Sequence, residues 1–192
     1  MTAKTEKQKM LSGELYLAFE TELFEERQLA INLLYAFNNL APGQVEERRT
    51  IVKKLFGSTG NDFWIEQRFH CDYGYNIHIG ENFYANVGCT ILDCAEVKIG
   101  DNVLFAPGVS LYTAGHPTNT EQRKAGLEYA YPITVGDNVW IGGGAIVLPG
   151  VSIGDNTVIG AGSVVTKNIP ADVIAVGNPC RVIRDNKSVG KY

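Results

Sequence analysis

The feature that most constrains this chain is a phrase that returns at a fixed interval. Val97-Lys98-Ile99-Gly100-Asp101-Asn102 reappears as Ile133-Thr134-Val135-Gly136-Asp137-Asn138 and as Val151-Ser152-Ile153-Gly154-Asp155-Asn156, with an earlier copy at Ile77-His78-Ile79-Gly80-Glu81-Asn82. Gly136 and Gly154 stand 18 residues apart, and Gly100 and Gly136 stand 36 apart, so the unit is three hexads, one coil of a parallel β-helix. Inside it an aliphatic residue recurs every six positions, at Val135, Ile141, Val147, Ile153, Ile159 and Val165. Three short flat strands per coil make a triangular prism, and each strand contributes one inward side chain to a stack. Gly, Asp and Asn follow the aliphatic residue because the chain must turn there, and these types tolerate left-handed or crowded backbone. A helix is disfavoured by the density of Gly and β-branched residues and by the lack of a 3.6-residue pattern.

With 192 residues and 45% hydrophobic content, the chain can bury a sizeable core as one domain plus a small accessory segment. A net charge of −4 and a pI near 5.4 argue against nucleic acid or an anionic membrane as the main partner and point to small molecules. No apolar run approaches the roughly 20 residues of a membrane helix, and Met1-Thr2-Ala3-Lys4-Thr5-Glu6-Lys7 lacks the apolar core of a signal peptide, so a cytoplasmic location is expected. Cys71, Cys89, Cys94 and Cys180 form no CxxC pair and read as small buried hydrophobes.

Residues 1–57 differ from the rest, being rich in Glu, Leu and Lys. Ala30, Leu33, Leu34 and Phe37 fall at helical spacing, as do Val45, Val52 and Phe56. Two or three helices are predicted, broken at Gly13 and Ala41-Pro42-Gly43 and ended by Gly57-Ser58-Thr59-Gly60, and lying against the flank of the prism or a neighbouring subunit. The aromatic stretch from Asn61 to Asn76 reads as an irregular first coil that caps the open end. Gly80 to Gly100 is 20 residues, which implies a two-residue insertion near Asp93-Cys94-Ala95. The hexads stop between Pro117 and Pro132, a polar, proline-bounded segment that reads as a projecting loop, and loops of this length inside a compact repeat are usually functional. Residues 58–185 then make up the column with its loop 117–132, and 186–192 a C-terminal tail.

His116 sits at the foot of that loop, fixed by a coil on one side and the excursion on the other, where an imidazole is well placed to take a proton near neutral pH. His70 and His78 lie in the first coils and read as structural or surface residues.

From about Lys9 to Arg184 the chain resembles the maltose and galactoside acetyltransferases, sugar O-acetyltransferases of the left-handed β-helix superfamily. The resemblance is carried by Met10-Leu11-Ser12-Gly13-Glu14-Leu15-Tyr16, Asp72-Tyr73-Gly74-Tyr75-Asn76-Ile77, Asn82-Phe83-Tyr84-Ala85-Asn86, Gly115-His116-Pro117 and Gly177-Asn178-Pro179-Cys180-Arg181. It implies a mainly β fold, a left-handed parallel β-helix of hexapeptide repeats with a short N-terminal helical segment and a projecting loop, which is an exception to the right-handed crossover rule. It also implies a homotrimer with active sites between subunits.

The implied chemistry is direct transfer of an acetyl group from acetyl-coenzyme A to a sugar hydroxyl, with no metal. His116 is the base, and the backbone N–H of Gly143 stabilises the oxyanion. Glu20, Asp72, Tyr84, Asn86 and Asp93 match acceptor-binding or orienting positions. Asn86, Trp140, Gly143, Ala161, Thr166, Lys167, Arg181 and Arg184 match the coenzyme A path, the arginines at its phosphate end. The chain departs from the galactoside branch where Ala18 replaces a carboxylate, Glu20 standing near an acid of the maltose branch, where Asp72 replaces a serine, and where Cys94 replaces one of two adjacent aspartates. Three alternatives stay open: an antibiotic O-acetyltransferase sharing base and cofactor path, a zinc-dependent hydratase of the γ-carbonic-anhydrase kind, which needs three converging histidines, and a catalytically silent scaffold that binds no coenzyme A.

Overall fold

The computed structural model describes residues 3–186; the tail beyond Asn186 lies outside them. Short parallel strands stack into three faces. Face one begins at Phe63–Ile65, face two at His70–Cys71 and face three at Ile77–Ile79, and the chain visits them in that order on every turn. Register shows the coil length directly. Trp140 pairs with Val158 eighteen residues on, whereas Tyr84 pairs with Leu104 and Thr90 with Ser110, twenty residues on. Ile77, Ile91, Phe105, Leu111, Ile141, Val147, Ile159 and Val165 are all essentially inaccessible and belong to one continuous core. Each such side chain contributes about 1.5–3 kcal/mol of burial.

The corner between faces three and one explains the repeated Gly-Asp-Asn. Asn82, Asn102, Asn138 and Asn156 adopt left-handed backbone with φ between 55 and 57°, and their amides form a ladder, Asn82 to Asn102 at 2.9 Å, Asn102 to Asn138 at 3.2 Å, Asn138 to Asn156 at 3.0 Å. The adjoining carboxylate of each coil accepts the backbone N–H of the coil before it, as Asp101 does from Glu81, Asp137 from Asp101 and Asp155 from Asp137. Glycine precedes because a Cβ on Gly100 or Gly136 would collide with the aspartate of the next coil.

The N-terminal helices are α1 (Glu6–Leu11), α2 (Thr21–Asn39) and α3 (Val45–Leu55). Ala30, Leu34, Phe37, Val52 and Leu55 join the core of the column through its first coil. The Asn38 carboxamide oxygen accepts from the N–H groups of Arg68 and Phe69, and Gln67 donates to the carbonyls of Phe37 and Leu40. The first-coil strands are the terminal strands of all three faces. Thus α2 and α3, not the aromatic coil, close the open end; residues 61–76 together with Ile77–Ile79 form a full coil beneath them, because Phe63, Ile65, Phe69, Cys71, Ile77 and Ile79 are all buried in the core.

Helix α1 and the strand Tyr16–Leu17 lie elsewhere, in a second cluster of Met10, Tyr16, Leu23, Tyr73, Cys94 and Ala130. The segment 117–132 is more ordered than a loop. It carries α4 (Thr120–Lys124), capped by the Asn119 side chain, and the strand Leu127–Ala130, which is flanked antiparallel by Ala114–Gly115 and by Tyr16–Leu17. The last strand, Arg181–Asp185, folds back antiparallel on Val173–Val176. No helix among the described residues is long and apolar enough to cross a membrane.

Candidate active site

Every departure from the 18-residue coil before Ile133 falls at one corner, between faces two and three. Residues 72–76 and 93–96 each hold the extra length of a 20-residue turn, and the excursion after Thr113 follows directly below them. Extra chain would drift unless tied, and each coil ties the one above. The fully buried Asp93 accepts the N–H groups of Asp72 (3.0 Å), Tyr73 (2.8 Å) and Asn76 (3.3 Å). Thr113, also fully buried, does the same for Ala95 at 3.0 Å and donates to the Leu92 carbonyl at 2.6 Å. Burial pushes the Asp93 carboxyl up to about 7, with the nearby Asp72 adding to it and the backbone donors opposing.

His116 follows the strand Ala114–Gly115 and is well exposed. Its Nε2 lies 4.0 Å from Oε1 of Glu128, whose side chain is only 17% exposed. The Tyr16 hydroxyl, inaccessible to solvent, donates to the other Glu128 oxygen at 2.9 Å. Burial, then Cys94 and Glu128, hold the Tyr16 phenol far above its ordinary range, so it remains a donor. Arg123 pins the start of the segment by donating to the carbonyls of Pro117 and Thr118, both at 3.0 Å. The imidazole therefore stands at the rim of a rigid hairpin with a carboxylate behind it.

In front of it opens a cavity of about 410 Å³, within the ~300–1,000 Å³ usual for small-molecule sites. His116, Gly115 and Glu128 line one side; Phe19, Arg27 and Asp72 line another. Burial raises the Asp72 carboxyl above its usual range, while Cys94, His70 and Arg27 pull it down. Cys94 donates to Asp72 Oδ2 across 3.4 Å, and its thiol, buried and facing carboxylates, is held well above the reactive range.

Of the sequence candidates for the acceptor, His116 and Asp72 meet here. Two do not. Glu20 is the N-cap of α2, its carboxylate accepting the Glu22 N–H at 3.0 Å, because the chain enters the helix there; Ala18 and Phe19 reach the cavity instead. Asp93 is sealed behind the corner, where its oxygens are needed by backbone donors. Sequence reasoning missed Glu128, Arg27, Phe19 and Tyr16. The only available signals were a carboxylate inside the proline-bounded segment and an aromatic left open beside Ala18.

The remaining candidates occupy other edges of the same column. Asn86, Gly143 and Ala161 stack at the corner between faces one and two. The N–H of Gly142 is taken by Ile159 O and that of Gly144 by Pro107 O, but among the described residues no acceptor takes those of Gly143 or Ala161. Asn86 turns its side-chain oxygen onto the Val87 N–H at 2.8 Å. Tyr84 and Trp140 point outward on face one, to either side of Leu104, with Trp140 48% exposed. Thr166 and Lys167 are exposed at the corner that bears His116, further along the column, and Arg181 and Arg184 are exposed on the last strand.

This combination, hexapeptide coils with a histidine-bearing hairpin beside a small cavity and a row of open amides, defines a hexapeptide-repeat acyltransferase. Residues 9–60 match the maltose acetyltransferase hexapeptide capping motif and residues 132–167 the bacterial transferase hexapeptide of six repeats. The chain is 52% identical to a putative acetyltransferase of Saccharomyces cerevisiae, YJL218W, over 91% of this chain and 90% of that one. It is 49% identical to the galactoside O-acetyltransferase of Escherichia coli K12, over 96% and 91%. Among solved structures, a maltose O-acetyltransferase from Clostridium difficile 630 superposes with a TM-score of 0.95 at 53% identity, covering 97% of this chain and all of that one. A galactoside acetyltransferase in complex with coenzyme A gives 0.93 at 48% identity, covering 96% and 92%. The chain belongs to the maltose and galactoside O-acetyltransferase family.

Proposed function

We infer that the protein is a cytoplasmic, acetyl-coenzyme A-dependent O-acetyltransferase that acetylates a hydroxyl of a sugar such as maltose, glucose or a galactoside. The observation that carries this is the His116–Glu128–Tyr16 chain at the cavity rim. An alcohol is a poor nucleophile until its proton is removed, and an imidazole steadied by a carboxylate supplies that step. As the acceptor oxygen bonds to the acetyl carbon, its proton passes to His116. The C–S bond then breaks and the proton goes on to the leaving thiolate. The charge that gathers on the thioester oxygen calls for a fixed donor, and the unpaired Gly143 N–H is of the right kind.

The residues fit the thioester substrate chemically. Open amides at Gly143 and Ala161, the exposed Trp140 beside them, and the cations Lys167, Arg181 and Arg184 suit a pantetheine arm that ends in phosphates. Asn86 and Tyr84 border the same path. His116 and Gly143 sit on different corners, with face two between them, and this supports a homotrimer in which each reaction centre joins the His116 corner of one copy to the Gly143 corner of the next.

The test is thiol release from acetyl-coenzyme A across a panel of hydroxyl acceptors, sugars beside hydroxyl-bearing antibiotics. Sugar-dependent release that vanishes in His116→Ala is expected. Release with antibiotics alone refutes the sugar reading, and unchanged turnover in the variant refutes the base.

A further inference from the structure

A second cavity, of about 460 Å³, opens on the other flank of α2. Consecutive helical residues lie roughly 100° apart around the axis, so Glu26 lines this cavity while Arg27, the next residue, lines the one before His116. Its apolar lining is Leu29, Ala30 and Leu33 of α2, Leu55 of α3, and the rings of Tyr73 and Tyr75. Leu29 stands 66% exposed at the lip. A hollow of that size with such walls suits the apolar body of a small molecule.

Three polar side chains, Glu26, Asn32 and Lys54, line it as well. Glu26 is fully engaged: one oxygen takes the Lys7 ammonium and the other accepts from the Tyr75 hydroxyl at 2.7 Å. Burial holds the Tyr73 and Tyr75 phenols above their ordinary range, so neither adds negative charge to the wall. Lys54, by contrast, has no carboxylate within 4.0 Å among the described residues, and the Asn32 carboxamide bonds to none of them. The polar capacity left over is a cation and an amide donor, which a carboxylate satisfies.

Tyr73 separates this cavity from the first. Its ring faces the second cavity and its hydroxyl accepts from Arg27 Nη1 at 2.6 Å, the guanidinium carbon lying 5.7 Å from the ring centroid. Its backbone is pinned, because Asp93 takes its N–H at 2.8 Å. Only the side chain can answer to what fills the cavity, and Arg27 is bonded to that side chain.

We propose that the cavity between α2, the end of α3 and Tyr73–Tyr75 is an effector site for a small amphipathic monocarboxylate, whose occupancy is passed to the acceptor cavity through Tyr73 and Arg27. The site itself is independent of the activity inferred above; its effect on the acceptor rests on that reading. An empty cavity lets the Tyr73 ring turn inward and release Arg27. A filled one keeps the ring on Arg27, so the ligand favours the arrangement in which the acceptor cavity is complete.

Isothermal titration calorimetry of the full protein with octanoate, octylamine and acetate tests the site, alongside Lys54→Gln and Leu29→Glu. Both residues are exposed, so their replacement leaves the fold intact. Octanoate is expected to bind wild type where octylamine and acetate do not, about 3–5-fold more weakly in Lys54→Gln and about tenfold or more in Leu29→Glu. Steady-state kinetics reads the coupling: saturating octanoate lowers the KM for glucose about fivefold, leaves the KM for acetyl-coenzyme A unchanged, and has no effect in Tyr73→Phe, which still binds octanoate. Octanoate that binds wild type no better than octylamine, or Leu29→Glu as well as wild type, overturns the site. So does octanoate that competes with acetyl-coenzyme A, which puts it on the thioester path, or a Leu29→Glu protein that loses its subunit assembly, which gives the groove to a second copy. Binding with an unchanged acceptor KM overturns the coupling. Wild type that transfers acetyl to no sugar refutes the function above, while the calorimetry still decides the site.

Discussion

Two corners of the same column show how one repeat serves opposite ends. At the corner of Gly-Asp-Asn the backbone turns identically in successive coils, and Asn82, Asn102, Asn138 and Asn156 satisfy one another along the axis. At the corner between faces two and three the first two turns are lengthened and tied by Asp93 and Thr113, and the third opens into a hairpin bearing His116. The first corner is made of residues chosen for backbone geometry, and nothing is left over for a ligand. The second keeps open groups, including one oxygen of Asp72 and the rim of His116. Irregularity here is confined to one edge, so the stiffness of the other edges remains available to hold it.

Mutations at the two corners should therefore separate activity from stability. The largest effect is expected from His116→Ala, a fall in kcat of about 10²–10⁴ with an unchanged melting temperature, measured by thiol release and thermal unfolding. Glu128→Gln keeps the shape but removes the charge behind the imidazole, and is expected to lower kcat about 10–100-fold while the KM for acetyl-coenzyme A holds; Tyr16→Phe gives a smaller loss. Equal activity in Glu128→Gln would mean that the carboxylate does not steady the ring. At the other corner, Asn138→Ala breaks two rungs and places alanine at φ 57°, at a cost of about 1–3 kcal/mol in denaturant unfolding with kcat per folded molecule intact. A large loss of kcat there would dissolve the contrast between the corners.

The smallest effect concerns Asp93, whose folded-state pKa is pushed up to about 7 by burial. Because the folded state binds this proton more tightly than the unfolded chain, Asp93 favours folding on the acid side, and that contribution is lost as pH rises from about 4 through about 7. Wild type should lose stability over that window relative to Asp93→Asn, and parallel unfolding curves for the two at every pH would remove Asp93 as the cause.

The contrast also sets what was readable in the chain. The coils, their inward residues and the extra length near Asp93 follow from local rules repeated many times, and so does the break before Ile133. The site rests on single contacts between distant segments: Tyr16 with Glu128, Arg27 with Tyr73, Asp93 with the 72–76 backbone. A two-residue strand such as Tyr16–Leu17 leaves no periodic trace. Glu20, placed among the acceptor positions by the family resemblance, also caps α2, and a glutamate is an uncommon N-cap, so the sequence does not announce that role. His116 stands on the exposed rim beside the break in the hexads, while the depth of Asp93 could be known only from what packs around it.

Pairing Tyr16–Leu17 with Leu127–Ala130 ties the first strand of the described residues to one that follows more than a hundred residues later. On the ribosome, a nascent chain ending before Leu127 has the material for its first coils but lacks the partner that anchors Tyr16–Leu17. Contacts of such long sequence separation form slowly, since a large loop must close before they are gained. Competence for chemistry thus arrives late in synthesis, as one event in which the beginning of the polypeptide and the histidine hairpin lock each other in place.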